Sequence, residues 1–188
     1  MKEKITEQSI QLFEKKGFSE TSIQDIVDSL GVTKGTFYYY FSSKEELLMD
    51  IHLSYIDDML NYQKEILEDS TKSCRNKLLE IVHMLISNIK TRGSSAKIFF
   101  REMRNLNDER LAQIVPKRDL FRFNVENLIK EGIEKGEFRS NLNASIVTFG
   151  ILGMANWSYQ WFNPNRSVTD REVAEIFVEM ILKGIENE

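Results

Sequence analysis

The sequence predicts an all-α protein of about nine helices. Two observations carry this. The 188 residues hold only two prolines and nine glycines, too little punctuation for an all-β fold, which spends both on turns. Apolar residues also recur at i, i+3, i+4 and i+7 through most of the chain, the spacing of one face of a helix.

The first helix is expected from about Lys2 to Lys16, with Ile5, Ser9, Leu12 and Phe13 on one face and Gly17 at its end. Thr21-Ser22-Ile23-Gln24 reads as a capping box, Thr21 as N-cap and Gln24 reaching back, ahead of the stripe Ile23, Ile26, Val27 and Leu30. Gly31 stops this helix, and Thr33 caps a third that ends near Phe41. Ser43-Lys44-Glu45-Glu46 is a second capping box. It opens a long helix to about Glu68, with Leu48, Ile51, Tyr55, Met59, Tyr62 and Ile66 inward.

A polar break at residues 69–73 precedes a fifth helix over 74–90, a loop at 91–95 and a sixth helix over 96–106. Residues 108–135 read as a helix kinked or interrupted at Pro116. Ala144 to Phe162 is apolar nearly all round, which marks a core or interface helix. After the turn cluster 163–167, Val173, Ile176, Phe177, Met180, Ile181 and Ile185 carry the last amphipathic helix.

Composition narrows the function classes. The chain is 41% hydrophobic and 29% charged, as globular proteins are. One cysteine, Cys74, excludes an internal disulfide and a multi-cysteine zinc site. The charged, amphipathic N-terminus is not a signal peptide, and no run of eighteen apolar residues reads as a membrane span. A cytoplasmic protein with no membrane partner is expected. The net charge of −4 argues against bulk nucleic-acid binding, yet no acid occurs between Ser29 and Lys44, and residues 90–139 hold twelve bases against eight acids.

Three short helices around the turn Ser29-Leu30-Gly31-Val32-Thr33 suggest a helix-turn-helix. At roughly 100° per residue, placing Phe37 in the core turns Gly35, Thr36, Tyr38 and Tyr39 outward. Lys34 stands at the N-terminal edge of that face. Leaving tyrosines out of the core is wasteful for stability unless they meet a partner. Thr and Tyr suit base edges, thymine methyls and phosphate oxygens, and a bare Gly35 admits close approach.

The segments Thr21-Ser22-Ile23-Gln24-Asp25-Ile26-Val27, Gly31-Val32-Thr33-Lys34-Gly35-Thr36-Phe37-Tyr38-Tyr39-Tyr40-Phe41 and Ser43-Lys44-Glu45-Glu46-Leu47 closely resemble the DNA-binding domain of the TetR family of bacterial transcriptional regulators. The resemblance covers about residues 4–50. It implies an all-α homodimer, usually a repressor, with a DNA-binding domain at residues 1–46. Residues 47–188 would then bind an effector and form the dimer. Lys34, Gly35, Thr36, Tyr38 and Tyr39, with Thr33 at their N-cap, match the family's recognition-helix positions. Thr21, Ser22, Tyr40 and Lys44 match its phosphate contacts. The partner implied is double-stranded operator DNA with palindromic half-sites.

Residues Gly150 to Pro164 resemble a branch of regulators of fatty-acid and sterol catabolism that respond to acyl-CoA thioesters. Gly150 and Gly153 let helices approach closely, and Trp157 and Trp161 share one face. An interface or core role is favoured there over ligand contact, with Met154, Ile176, Phe177 and Met180 completing the candidate dimer surface. The candidate effector lining is Leu85, Ile89, Phe99, Phe100, Met103, Phe121, Val125 and Phe149, beside the basic Arg101 and Arg104. A greasy chamber beside arginines suits a long tail with an anionic head, as in a long-chain acyl-CoA. A free fatty acid or another hydrophobic compound is the next candidate. The plain alternative is that the phenylalanines are core and the arginines pair with Glu102, Asp119 and Glu126.

His52, His83 and Cys74 stand without ligand-spaced neighbours and read as structural; no metal, cofactor or catalytic site is expected. Serine nucleophile elbows, phosphate loops and dinucleotide fingerprints are absent from the sequence. The competing function class is an all-α small-molecule carrier or small enzyme whose helix-turn-helix is only structural.

Overall fold

A computed structural model describes residues 1–165 and 167–183. The described chain folds into eight α-helices: α1 (Lys2–Lys16), α2 (Ile23–Leu30), α3 (Lys34–Tyr40), α4 (Lys44–Glu68), α5 (Cys74–Glu102), α6 (Asp108–Glu134), α7 (Ala144–Trp161) and α8 (Asp170–Lys183). A 3-10 turn, Met103–Asn105, follows α5. Ile185, expected on the last helix, and Arg166, in the preceding turn cluster, lie outside the described residues.

The helix count is eight because the loop expected at 91–95 is reduced to a kink at Arg92. The helices expected over 74–90 and 96–106 are one element, α5, with a single non-helical residue at Arg92 (φ −134°, ψ 24°). Gly93 costs a helix only about 1 kcal/mol, and no proline interrupts the run. Tertiary contacts hold the two serines there: Ser95 is buried, and Ser94 donates to the Glu14 carboxylate. Pro116 likewise lies inside a continuous α6.

The cap of α2 is shifted by one residue from its sequence reading. Thr21 does not cap α2, because its side chain is fully buried and its hydroxyl donates to the Gly17 carbonyl at 2.7 Å. Ser22 takes the role: its hydroxyl accepts from Asp25 N–H at 3.0 Å, and the Asp25 carboxylate accepts from Ser22 N–H at 2.8 Å. Gln24 instead donates to Asp28 at 2.6 Å. At α4, Ser43 accepts from Glu46 N–H at 3.1 Å, while the Glu46 carboxylate accepts from Ser42 N–H at 2.6 Å.

The chain divides into two compact units, residues 1–57 with 94–116, and residues 58–93 with 117 onward. In the first, Ile5 and Phe13 of α1, Ile26 and Val27 of α2, Phe37 of α3 and Leu47, Leu48 and Ile51 of α4 form the core. Each side chain of this size, fully buried, contributes about 1.5–3 kcal/mol. Phe99 belongs to the same unit and packs its ring 5.4 Å from His52 and 5.0 Å from Tyr55. His52 is buried with Nδ1 2.9 Å from the Leu48 carbonyl oxygen, and burial pushes its pKa down.

In the second unit the core draws on Met59, Leu78, Ile81, Val82, Ile86, Val125, Ile129, Ile151, Val173 and Val178. The inward place on α4 falls to Gln63, which donates to the Phe121 carbonyl at 2.9 Å and accepts from Asn124 at 2.8 Å. Tyr62, expected inward, is exposed beside it. Gly132 is where the Phe138 ring seats: a β-carbon there would lie 2.2 Å from that ring.

Candidate nucleic-acid interface

The site is built on the first unit. Gly31 sits in the left-handed region (φ 64°, ψ 32°), which only glycine adopts without strain. Its N–H donates to the Asp28 carbonyl at 3.2 Å and Val32 N–H to the Val27 carbonyl at 3.0 Å, so the chain leaves α2 sharply. Thr33 then caps α3 by accepting from Thr36 N–H at 3.2 Å, and the two hydroxyls lie 3.2 Å apart.

This cap sets the rotation of α3. Phe37 is fully buried, Tyr38 is 53% exposed and Tyr39 81%. Ser22, Thr33, Lys34 and Gly35 are also exposed, while Thr36 and Tyr40 are half-buried. The rings of Tyr39 and Tyr40 meet edge to face with centroids 4.8 Å apart. The first turn of α3 carries no acid. A helix N-terminus with free N–H groups, hydroxyls, a lysine and two projecting tyrosines is chemically suited to a phosphate-lined groove.

Two residues read as phosphate contacts are placed otherwise. Thr21 is buried as described. The Lys44 ammonium donates to the carbonyls of Phe18 at 2.8 Å and Thr21 at 2.7 Å, and lies 4.3 Å from the Phe18 ring centre. Both residues shape the α1–α2 turn from within. A carboxylate brace that the sequence reading passed over lies beside Ser22. Hydrogen bonds from the Ser22 side chain and backbone, and from Lys16 at 3.0 Å, hold the Asp25 carboxyl far below the usual carboxylate range. The Ser-x-x-Asp spacing of Ser22 and Asp25, one residue on from Thr21–Gln24, is its signal in the sequence.

The ten candidate effector residues divide between the units. Phe99 is buried, and Phe100, Arg101, Met103 and Arg104 lie on the same stretch of the first unit. Leu85, Phe121 and Val125 are buried in the second, with Ile89 half-buried. Phe149 is a correction: it is exposed on the outside of α7, with the Arg122 guanidinium 5.2 Å from its ring centre. The basic residues are largely paired. Arg101 Nε donates to Glu102 at 2.7 Å, Arg122 pairs with Glu126 at 3.3 Å and Arg118 with Asp119 at 3.9 Å. These are the acids that the plain alternative named.

The outer face of α7 and α8 is apolar. Ile146, Phe149, Trp157, Trp161, Ile176 and Met180 are exposed, Trp157 at 61%. Met154 and Phe177 are half-buried beside them, with the Phe177 ring 6.2 Å from that of Trp161. A β-carbon at Gly150 or Gly153 would meet nothing within 4 Å. Among the described residues, no helix is long and apolar enough to cross a membrane, and no cluster of three His, Cys, Asp or Glu side chains has metal-binding geometry.

Residues 5–51 match the family model for bacterial regulatory proteins of the tetR family, and residues 71–185 match that for a tetracyclin repressor-like C-terminal domain. The chain belongs to the TetR family. It is therefore a helix-turn-helix DNA-binding protein of the TetR repressor type and not an enzyme. It is similar to the HTH-type transcriptional repressor KstR2 of Rhodococcus jostii (strain RHA1), 28% identical over 176 residues, covering 93% of this chain and 85% of the relative. Among solved structures, the TetR-family regulator PfmR of Thermus thermophilus aligns with a TM-score of 0.89 at 27% identity, covering 97% of this chain and 99% of PfmR. AibR, solved in complex with isovaleryl coenzyme A and operator DNA, aligns at a TM-score of 0.86 and 24% identity, over 96% of this chain and 97% of AibR.

Proposed function

We propose that this TetR-family protein is a homodimeric repressor that reads a palindromic operator and is released from it by a hydrophobic effector of the acyl-CoA class. The observation that carries the reading is the exposed apolar stripe of α7 and α8 around the bare Gly150 and Gly153. Such a face is self-complementary when two copies pair about a two-fold axis. Pairing there presents two copies of α3, and half-sites one helical turn apart, about 34–36 Å, follow from that symmetry.

On the reading head, Lys34, Gly35, Thr36, Tyr38 and Tyr39 face the bases, and Ser22, Thr33 and Tyr40 face phosphate. The effector reading is supported by the likeness to KstR2, a repressor by name, and by the Gly150–Pro164 segment. AibR, which has a similar fold and was solved with isovaleryl coenzyme A and operator DNA, is a second support. Within the second unit, Leu85, Ile89, Phe121 and Val125 supply apolar contacts for an acyl chain, near the amides of Gln63 and Asn124.

The test begins with an operator selected by the protein from a random duplex library. Fluorescence anisotropy on that duplex, with isovaleryl-, octanoyl- and palmitoyl-CoA, free coenzyme A and the free acids, reads release. A palindromic consensus and release by one of the thioesters are the expected results. A monomer in sedimentation at micromolar concentration, or a selected site without two-fold symmetry, overturns the dimer reading. Inertness of every thioester overturns the effector class.

A further inference from the structure

The first unit has an unexpected membership. Residues 94–116 belong with the helix-turn-helix and not with the rest of α5. The passage from one unit to the other falls at Gly93–Ser94, immediately after the non-helical Arg92. The segment past that break grips the C-terminal end of α1. Arg101 donates from its guanidinium to the carbonyls of Phe13 and Glu14, in the last turn of α1, where helical donors run out. Lys97 pairs with the Glu14 carboxylate at 2.7 Å, and Ser94 donates to its other oxygen. The Lys97 and Ser94 hydrogen bonds hold the Glu14 carboxyl below its usual range.

The grip extends to the α1–α2 turn. Glu102, itself buried, accepts from Arg101 Nε and from Asn105 Nδ2, each at 2.7 Å. Asn105 in turn accepts from the Ser19 hydroxyl at 3.5 Å. Ser19 stands three residues before Ser22, the cap of α2. A continuous set of hydrogen bonds thus runs from the second half of α5 to Ser19, in the turn between α1 and α2.

We propose that Arg101 is a positioning residue of DNA reading. Its guanidinium, with Lys97 and Glu14, fixes α1 and the α1–α2 turn to residues 94–105, so that movement of this segment is felt by Ser22 and α3. Through these bonds Arg101 carries the state of the effector site to the DNA-facing surface. The role in release rests on the effector reading above, and the role in the head does not.

Two measurements on the full chain test it, using Arg101→Ala and the conservative Arg101→Lys. In the first, thioesters release the selected operator from the wild-type protein by a factor within the roughly 5–150-fold range of allosteric couplings. Arg101→Ala weakens operator binding and loses most of that release, and Arg101→Lys restores part of both, because an ammonium still caps carbonyls. The second needs no effector. By linkage, operator binding slows amide exchange over residues 94–105 of the wild-type protein. Arg101→Ala removes that slowing while keeping the slowing over residues 33–40. Equal slowing in the variant, or none over 94–105 in the wild type, overturns the proposal. If no thioester acts on the wild-type protein, the effector class falls and the exchange measurement alone decides the role of Arg101.

Discussion

Lys44 donates to the carbonyl oxygen of Phe18 at 2.8 Å while its ammonium lies 4.3 Å from the centre of the Phe18 ring. With the second bond to Thr21, the charge is spent on closing the α1–α2 turn. Lys44→Ala is therefore expected to destabilise the first unit by about 2 kcal/mol, the size of a lost charge-assisted hydrogen bond. It should leave the salt dependence of operator binding unchanged, whereas loss of a phosphate contact lowers the slope by about one. Urea unfolding and a salt titration of binding check the two halves.

Thr36 sits in the first turn of α3 with its hydroxyl 3.2 Å from that of Thr33. Thr36→Ala is expected to relax sequence preference at one or two positions per half-site, by about 1–3 kcal/mol for a well-made base contact. Repeating the operator selection with the variant reads this directly. An unaltered consensus rejects the contact.

Gly132→Ala forces a methyl group onto the Phe138 ring, which is buried and has little room to move. Overpacking of this kind costs about 1–3 kcal/mol. Thermal unfolding should show the loss, and Phe138→Leu placed in the same chain should return part of it.

At Gly153 the opposite holds, since a side chain there meets only open space in the protomer. Gly153→Leu is expected to leave protomer folding intact and to weaken self-association and operator binding together. Sedimentation and far-ultraviolet circular dichroism separate the two effects.

The Asp25 carboxyl titrates lower in the folded protein than in the unfolded chain, chiefly through the Ser22 hydroxyl and N–H and then Lys16. Its contribution is therefore complete above the unfolded carboxyl pKa, near 4, and is lost as pH falls towards the folded value. The stability gap between wild type and Asp25→Asn should be widest at neutral pH and narrow below about pH 4. A gap that is constant from neutral to acid pH rejects the brace.

Local patterning made α1 to α4 legible, because Gly17, Gly31 and Thr33 each act on the few residues beside them. The outward Tyr38 and Tyr39 followed from rotation about Phe37 alone. That the break at 91–95 shrinks to a kink at Arg92 was not legible, because Ser94 just beyond it is held by Glu14, some eighty residues earlier. The roles of Thr21 and Lys44 were hidden for the same reason. A threonine before a helix and a lysine at a helix start look alike whether they face solvent or the carbonyls of a distant turn. Arg101 read as an anion-binding arginine because sequence shows its charge but not the helix end already facing it.

The discontinuous make-up of the first unit has a consequence for synthesis. Its N-terminal portion leaves the ribosome with His52 and Tyr55 lacking Phe99, and with the end of α1 lacking Arg101. At about 5–20 residues per second, the 59 residues between positions 57 and 116 take roughly 3–12 s to appear. The DNA-reading head, though encoded first, is completed only after most of α5 has been made. A nascent chain halted before Ser94 carries the whole of α1 to α4 and still lacks the residues that bind the end of α1.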